Sequence, residues 1–437
     1  MAVALVRPGP IQANATHPYL RRRQGLEPVT YPGGAAGRPL VEPILADTLG
    51  VCVFQDQVVE LCRVAGLDAA ETAEVRRAMS SARSPAHMAA QRDRLDEALV
   101  AHGVDTAGRA GILDIVQAFS GYGFVRGHAA AHAYLAYVSA WIKVYYPAAL
   151  CAALLNMQPM GFYSPEVIVQ DARRHGVRIL PPDLRYSRAD CTLENGTVRL
   201  GLRLIRNLGA DACARLEAVL HEEPFPRAIE ELCVRARLQE DEALALARAG
   251  ALGCYIPERR QAMWQAPLVA RAARERWLPA LRETIDLSVH LPQPTPAETF
   301  ALDRAALGLA PEGHVLTHLR PALEGRLLHR AADLAALPTP YMIEVVGQVI
   351  VLQSPPTAKG VWFMTLSDET GLMINVVVPP AVYTRDRAVV RGEALVWIRG
   401  RLERQGDVVA LQAAWVRPLS RLLARAATDT ETHDGMD

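Results

Sequence analysis

The sequence predicts a multidomain α+β chain: mainly helical over its first half, with a helical-hairpin segment in the middle and a small β-barrel near the C-terminus. Three observations carry this. Apolar residues recur at helical spacing between Pro43 and Gly103 and again up to His175. An Asn195-Gly196 pair flanked by short alternating runs marks a two-residue hairpin turn. From Tyr341 to Pro418, five runs alternate apolar and polar residues between Gly, Pro and Asp turns.

In chain order, Met1–Pro39 is rich in Pro, Gly and Arg, and Arg21, Arg22 and Arg23 face only Glu27. This predicts an irregular basic segment, whose triple arginine is either a solvated surface or a contact for an anionic partner. Thr48–Ala65 keeps Val51, Phe54, Val58 and Leu61 on one helical face. Asp68 with Glu71 is a capping-box pair, and it opens a helix that carries Arg76 and Arg77. Those two arginines could clamp a triphosphate by charge-assisted hydrogen bonds or simply hold structural ion pairs. Ser84-Pro85 opens the next helix, and Gly103 ends it.

Gly121–Pro147 starts as a glycine-punctuated turn with Arg126 and His128 and continues as a helix with almost no polar face. Such a helix is expected to be buried. A cation-bearing loop at its N-terminal end suits a phosphate, because unpaired amides and the helix dipole point there; a capped core helix with incidental charges is the alternative. Ser164-Pro165 starts a helix that ends at His175 and Gly176. The stretch LRLIRNLGADACARLEAV, ending at Val219, has a tight turn at Arg206, Asn207, Leu208 and Gly209 before a helix. That layout resembles a helix-hairpin-helix unit, which holds a DNA phosphate on backbone amides. A weaker copy is expected around Gly250. Leu291–Thr299 looks like a linker. The five C-terminal strands, with a helical insert after Pro379, fit an OB-type barrel. Such barrels bind single strands through basic grooves and stacking aromatics, so Lys359, Trp362 and Phe363 are its candidate contacts.

Composition narrows the classes. The chain has 437 residues with 47 basic and 47 acidic side chains. A DNA contact must therefore come from local patches and not from net charge. Seven cysteines are scattered without a close C-x-x-C pair, which argues against a zinc ribbon and a disulfide framework and fits a reducing cytoplasm. No apolar run approaches a membrane span, and the start lacks a secretory layout.

Several stretches resemble, in order, the C-family DNA polymerases of bacteria, the alpha subunits of polymerase III. They are ALVRPGPIQ, HPYLRRRQGLEPV, GVCVFQDQVV, RRAMSSARS, GYGF, HAAAHAYLAY, AWIKVYYP and KGVWFMTLSDETG. Leu154–Val177 is similar to the error-prone branch of that family. The resemblance runs from about Met1 to Leu419. It implies fingers (1–176), tandem hairpins (177–290), a linker or helical segment (291–340) and an OB-fold (341–419); beyond it, the acidic and polar composition of the last residues predicts a disordered tail (420–437).

The resemblance also implies templated addition of deoxynucleotides across damaged sites. Template or incoming nucleotide would meet the Arg21–Arg23 segment. The dNTP would lie near Arg76, Arg77, Arg126, His128 and Lys143. Two departures stand out: RRAM is followed by Ser80, Ser81, Ala82 and Arg83 where the family has a basic cluster, and Val125, Arg126 and Gly127 precede the histidine.

Polymerase chemistry needs two metal ions held by strand-borne aspartates. No Asp-x-Asp lies on an expected strand; the nearest spacings are Asp429 with Glu431 in the tail and Glu240 with Glu242 at what reads as an exposed helix start. The Mg2+ ligands are therefore expected on a palm outside this chain. The open readings are one piece of a split polymerase paired with a separately encoded palm-bearing fragment, a non-catalytic DNA-binding accessory, or a gene remnant. Primer-template DNA, single-stranded template and dNTP are the expected partners, with no membrane.

Overall fold

The computed structural model describes residues 2–5, 16–80, 85–118, 125–161, 163–274, 290–355, 358–406 and 408–425. The chain divides into two compact units, Met1–Trp141 and Ile142–Asp437.

In the first unit, the helices Thr16–Arg23, Gly34–Leu45, Gln55–Val64, Ala69–Ser80, Pro85–Ala101 and Thr106–Ala118 precede a long helix, Arg126–Tyr145, that runs out of the unit. Val41, Leu45, Val58, Leu61, Leu95, Leu99 and Ile112 form its main core. The capping box is present: the Asp68 amide donates to Glu71 Oε2 at 2.9 Å, and the Glu71 amide to Asp68 Oδ1 at 2.8 Å. Val51, Phe54, Val58 and Leu61 are all buried, as their spacing predicts. The helix that carries the last two nevertheless starts only at Gln55. Leu49 and Gly50 have positive φ, which breaks a helical run from Thr48. The sequence reading did not single out Thr106–Ala118, whose start is fixed by the Gly108 amide donating to Asp105 Oδ1 at 2.7 Å.

The second unit begins with the helices Pro147–Asn156 and Pro165–Arg174. Ser164 caps the second of these by accepting from the Val167 amide. A three-stranded sheet follows, with β1 (Ile179–Leu180), β2 (Thr192–Glu194) and β3 (Thr197–Arg199) in the order β1-β3-β2. Asn195 and Gly196 both take positive φ in the β2–β3 turn, the geometry a two-residue hairpin requires. The helices Ala210–Leu220, Ile229–Arg235, Glu240–Arg248, Arg259–Arg274 and Pro296–Leu307 follow. All but the terminal segments of this region share one core, from Cys151 to Leu309.

The stretch expected as a linker is folded. Thr295 and Glu298 form a reciprocal cap at the start of Pro296–Leu307. Beyond that helix, the buried Glu166 accepts from the Ala310 amide at 2.9 Å, and Arg173 donates to the Gly313 carbonyl at 2.7 Å. Pro-rich composition suggested a spacer at Leu291–Thr299, but Arg260 donates there to the Pro292 carbonyl at 3.0 Å and to Glu298 at 2.6 Å.

The barrel is built from β4 (Tyr341–Gln353), β5 (Trp362–Ser367), β6 (Met373–Val378), β7 (Leu395–Gln405) and β8 (Val408–Pro418). It closes in the order β4-β5-β6-β8-β7, with β6 and β8 parallel and the other pairs antiparallel. This is an OB-fold, with the helix Pro380–Gly392 inserted between β6 and β7. Residues 419–425 are helical, so the expected disordered tail (420–437) begins within a helix; 426–437 lie outside the described residues.

The seven thiols are free, and six are buried. Burial raises every one: Cys62, Cys191 and Cys254 to about 11, Cys151 and Cys233 to about 12, and Cys52 and Cys213 in the same direction. Ellman's reagent at pH 8 is therefore expected to titrate fewer than about one thiol per native chain within minutes, and all seven after denaturation. Rapid native reaction at two or more positions would contradict this packing.

Candidate nucleic-acid and nucleotide interface

The long helix Arg126–Tyr145 is where the structure departs most from expectation. Of its residues only Ala129 is buried. Tyr134, Leu135, Tyr137, Trp141, Val144 and Tyr145, with Tyr146 just beyond, are between 45% and 72% exposed. Apolar composition predicted burial, but these side chains are largely exposed. The turn at Gly121 that leads into the helix lies outside the described residues.

The N-terminal end of this helix already holds anions. The Arg126 amide donates to Asp56 Oδ2 at 2.6 Å, and the Arg126 guanidinium reaches Asp47 Oδ2 at 3.3 Å while lying 5.3 Å from the centre of the Phe54 ring. One carboxylate, Asp56, thus occupies the place where amides and dipole favour a phosphate, and a second, Asp47, meets the guanidinium beside it. Both lie at least 70 residues away in sequence, so no local signal could have found them. His128 is exposed, with its ring edge-on to His132 at 6.0 Å.

Lys143 is drawn into an ion cluster: its Nζ lies 2.8 Å from Asp171 Oδ2, and Arg174 donates to the same carboxylate at 3.0 Å. Burial pushes the Asp171 carboxyl up, but the hydrogen bonds from Lys143 and Arg174 outweigh it and hold the group below its ordinary value. Lys143 stands at the rim of a cavity of about 370 Å³ floored by Leu150, Cys151, Leu154 and Ile168. Arg76 and Arg77 fall on the helix Ala69–Ser80, with their side chains outside the described residues.

The triple arginine is split in role. Arg22 points inward, donating to the carbonyls of Leu49 at 2.7 Å and Thr30 at 3.0 Å and to Thr30 Oγ1 at 2.8 Å. It thus serves as a structural clamp between Thr30 and Leu49. Arg21 and Arg23 are exposed, Arg21 within 3.4 Å of Glu27.

In the hairpin, Asn207 takes a φ of 65°, the left-handed geometry that asparagine tolerates. Leu208 is buried and anchors the turn, while Arg206, Asn207 and Gly209 face solvent. Gly209 caps the helix Ala210–Leu220 with no side-chain bond, so its first-turn amides have no side-chain acceptor at the cap. Arg206 leans on the helix Pro296–Leu307, its guanidinium 3.4 Å from the Ala305 carbonyl. The second hairpin is looser than expected. Gly250 ends Glu240–Arg248, but the next helix starts only at Arg259, whose guanidinium packs beside Gly250 and pairs with Asp303 at 2.8 Å.

On the barrel, Trp362 stacks on Tyr383 of the inserted helix, with centroids 4.4 Å apart, so its face is taken. Phe363 points outward from β5, and Lys359 is exposed in the β4–β5 loop. Glu240 and Glu242, the nearest thing to an acidic pair, are held by Arg271 at 2.6 Å and Arg215 at 2.8 Å, and Glu242 is largely buried. Asp429 and Glu431 lie outside the described residues. Among the described residues, no three His, Cys, Asp or Glu side chains converge to hold a metal ion. Among them, too, no single helix is long and apolar enough to cross a membrane; Arg126–Tyr145 and Pro147–Asn156 pass such a test only as a pair bent by 120°.

Two family models match parts of the chain. Residues 1–103 match the bacterial DNA polymerase III alpha subunit finger domain, and residues 176–262 match a helix-hairpin-helix motif. Bacterial proteins named error-prone DNA polymerase are similar to this chain along nearly all of its length. The chain is 41% identical to the error-prone DNA polymerase of Anaeromyxobacter sp. (strain K), across 99% of this chain and 39% of that protein. Identity is 40% to that of Pseudomonas syringae pv. tomato (96% and 41%) and 39% to that of Mycolicibacterium paratuberculosis (94% and 37%). The chain thus spans about two-fifths of the length of these curated relatives.

Proposed function

We propose that this chain is the template- and nucleotide-handling portion of an error-prone DNA polymerase acting in translesion synthesis, working with a palm domain whose aspartates hold the catalytic Mg2+. The observation that carries this reading is the exposed aromatic face of the helix Arg126–Tyr145. A contiguous apolar patch of this kind is unexpected on a surface that meets only water. The palm, on the same polymerase or on a separately encoded fragment, covers part of it. An accessory that only gripped DNA would have no use for such a face.

Arg126 and His128 lie at the end of that helix and meet the phosphates of the incoming dNTP. The Arg126 pair with Asp47 is solvent-exposed on both sides, and such pairs contribute about 1 kcal/mol or less, so a triphosphate can displace it. Primer-template DNA is held by the first-turn amides of Ala210–Leu220, with Arg206 beside them, and single-stranded template by the barrel. A reducing cytoplasm suits the buried free thiols.

The test is magnesium-dependent primer extension on an abasic template, with the chain alone and with the palm-bearing portion of a related error-prone polymerase. Extension is expected only in the mixture. Extension by the chain alone would overturn the placement of the metal site; none in the mixture, with both parts folded, would overturn the polymerase reading in favour of an accessory.

A further inference from the structure

The proposed function leaves open which face of the barrel takes the single strand. The outer side of β5 and β6 carries Phe363 and Thr365 opposite Val377 and Asn375 in register, with no charged side chain among them. It offers one exposed ring but no electrostatic term.

The opposite side differs. On β7, Trp397, Arg399 and Arg401 alternate outward while Val396, Ile398 and Leu402 fill the core. Across the ladders, Arg401 sits between Met342 of β4 and Gln412 of β8, and Arg399 between Glu344 and Trp415. Trp415 is half-buried and meets the buried Trp397 edge to face at 4.6 Å. The Trp397 indole donates to Glu344 at 2.8 Å, which leaves Glu344 only a long 3.9 Å approach to Arg399. A shallow groove of about 370 Å³ adjoins this column, with Arg326 and Arg399 on its walls and Leu327 at its rim. One end of the face is closed by Leu316, Leu323, Leu419 and Leu422, so a ligand must run along the open end over Arg399 and Arg401.

We infer that the outer face of β4, β7 and β8 is the single-strand binding surface, with phosphates on Arg399 and Arg401 and a base against Trp415. Arg401 pairs with Glu403, and the Arg417 guanidinium lies 5.9 Å from the centre of the Trp415 ring; the Arg401 pair is solvent-exposed on both sides, and such pairs contribute little, so a phosphate can displace it. Two arginines one pleat apart on a rigid strand, next to an aromatic ring, then suit a polyanion whose bases present π-faces. An acidic peptide would satisfy the arginines but not the ring. The inference rests on the reading that the barrel binds template.

The experiment is fluorescence anisotropy of the full chain with a labelled oligothymidylate, over a range of salt. Arg399→Ala/Arg401→Ala is expected to weaken binding by about tenfold or more and to reduce the salt slope by about 1.4, two single-strand phosphate contacts at 0.7 each. Trp415→Leu weakens binding with the salt slope unchanged, and Phe363→Ala leaves binding within about twofold of the parent. Circular dichroism and the melting curve confirm that each variant is folded. If the parent binds but the double arginine variant binds equally well, or Phe363→Ala removes binding, the assigned face is wrong while the template reading stands. If the folded parent binds no single strand but binds an acidic peptide through these arginines, both are overturned.

Discussion

Asp386→Ala is expected to destabilise the barrel by about 3 kcal/mol, read as a lower urea midpoint for the loss of barrel structure. Asp386 is 3% exposed and sits at a kink in the helix Pro380–Gly392, where its φ of −109° departs from helical geometry. Its Oδ1 accepts from Arg417 at 2.7 Å and its Oδ2 from the buried Val416 amide at 3.0 Å, while Arg385 binds both oxygens. One carboxylate therefore ties the inserted helix to β8. Removing it leaves a buried amide and a half-buried guanidinium without their acceptor.

Burial pushes this carboxyl up, yet the hydrogen bonds from Arg385, Val416 and Arg417 prevail and hold it at about 2. An unfolded aspartate titrates near 3.9, so the stabilisation is full above about pH 4 and is lost as pH falls toward 2. Asp386→Asn is expected to flatten that part of the stability profile. An unchanged midpoint in Asp386→Ala at pH 7 would show that the contact is dispensable.

Arg22→Ala is expected to lower the stability of the N-terminal unit by about 2 to 3 kcal/mol, with DNA affinity per folded molecule unchanged within about twofold. The Arg22 side chain is only 10% exposed and bridges Thr30 and Leu49. Gly50, beside it, has a φ of +75°, and a Cβ there would lie 2.1 Å from the Thr30 carbonyl oxygen. The clamp therefore closes over a position that only glycine can occupy. Arg21→Ala and Arg23→Ala should do the reverse: stability within about 0.5 kcal/mol of the parent, as for surface positions, and a weaker, less salt-dependent grip on DNA. Thermal melts and anisotropy on the same preparations separate the two effects. A loss of affinity without a loss of stability in Arg22→Ala would return that residue to the DNA surface.

The sequence by itself determined most of the local structure. The capping box at Asp68, the cap at Ser164, the Asn195-Gly196 turn and all five barrel strands are set by residues within a few positions of each other. The left-handed Asn207 was legible for the same reason, because backbone preference is local. The ordered run of motifs pointed to the polymerase family that the matches support.

Tertiary structure alone decided which charges remain available to a ligand. Arg22, Lys143 and Arg126 look alike in sequence, but the first is consumed by backbone carbonyls, the second by Asp171, and the third touches Asp47 across 79 residues. Partners at such separations leave no periodic trace. It also decided that the long apolar helix Arg126–Tyr145 is exposed, since hydrophobicity records that a face needs covering and not whether the cover lies within the same polypeptide.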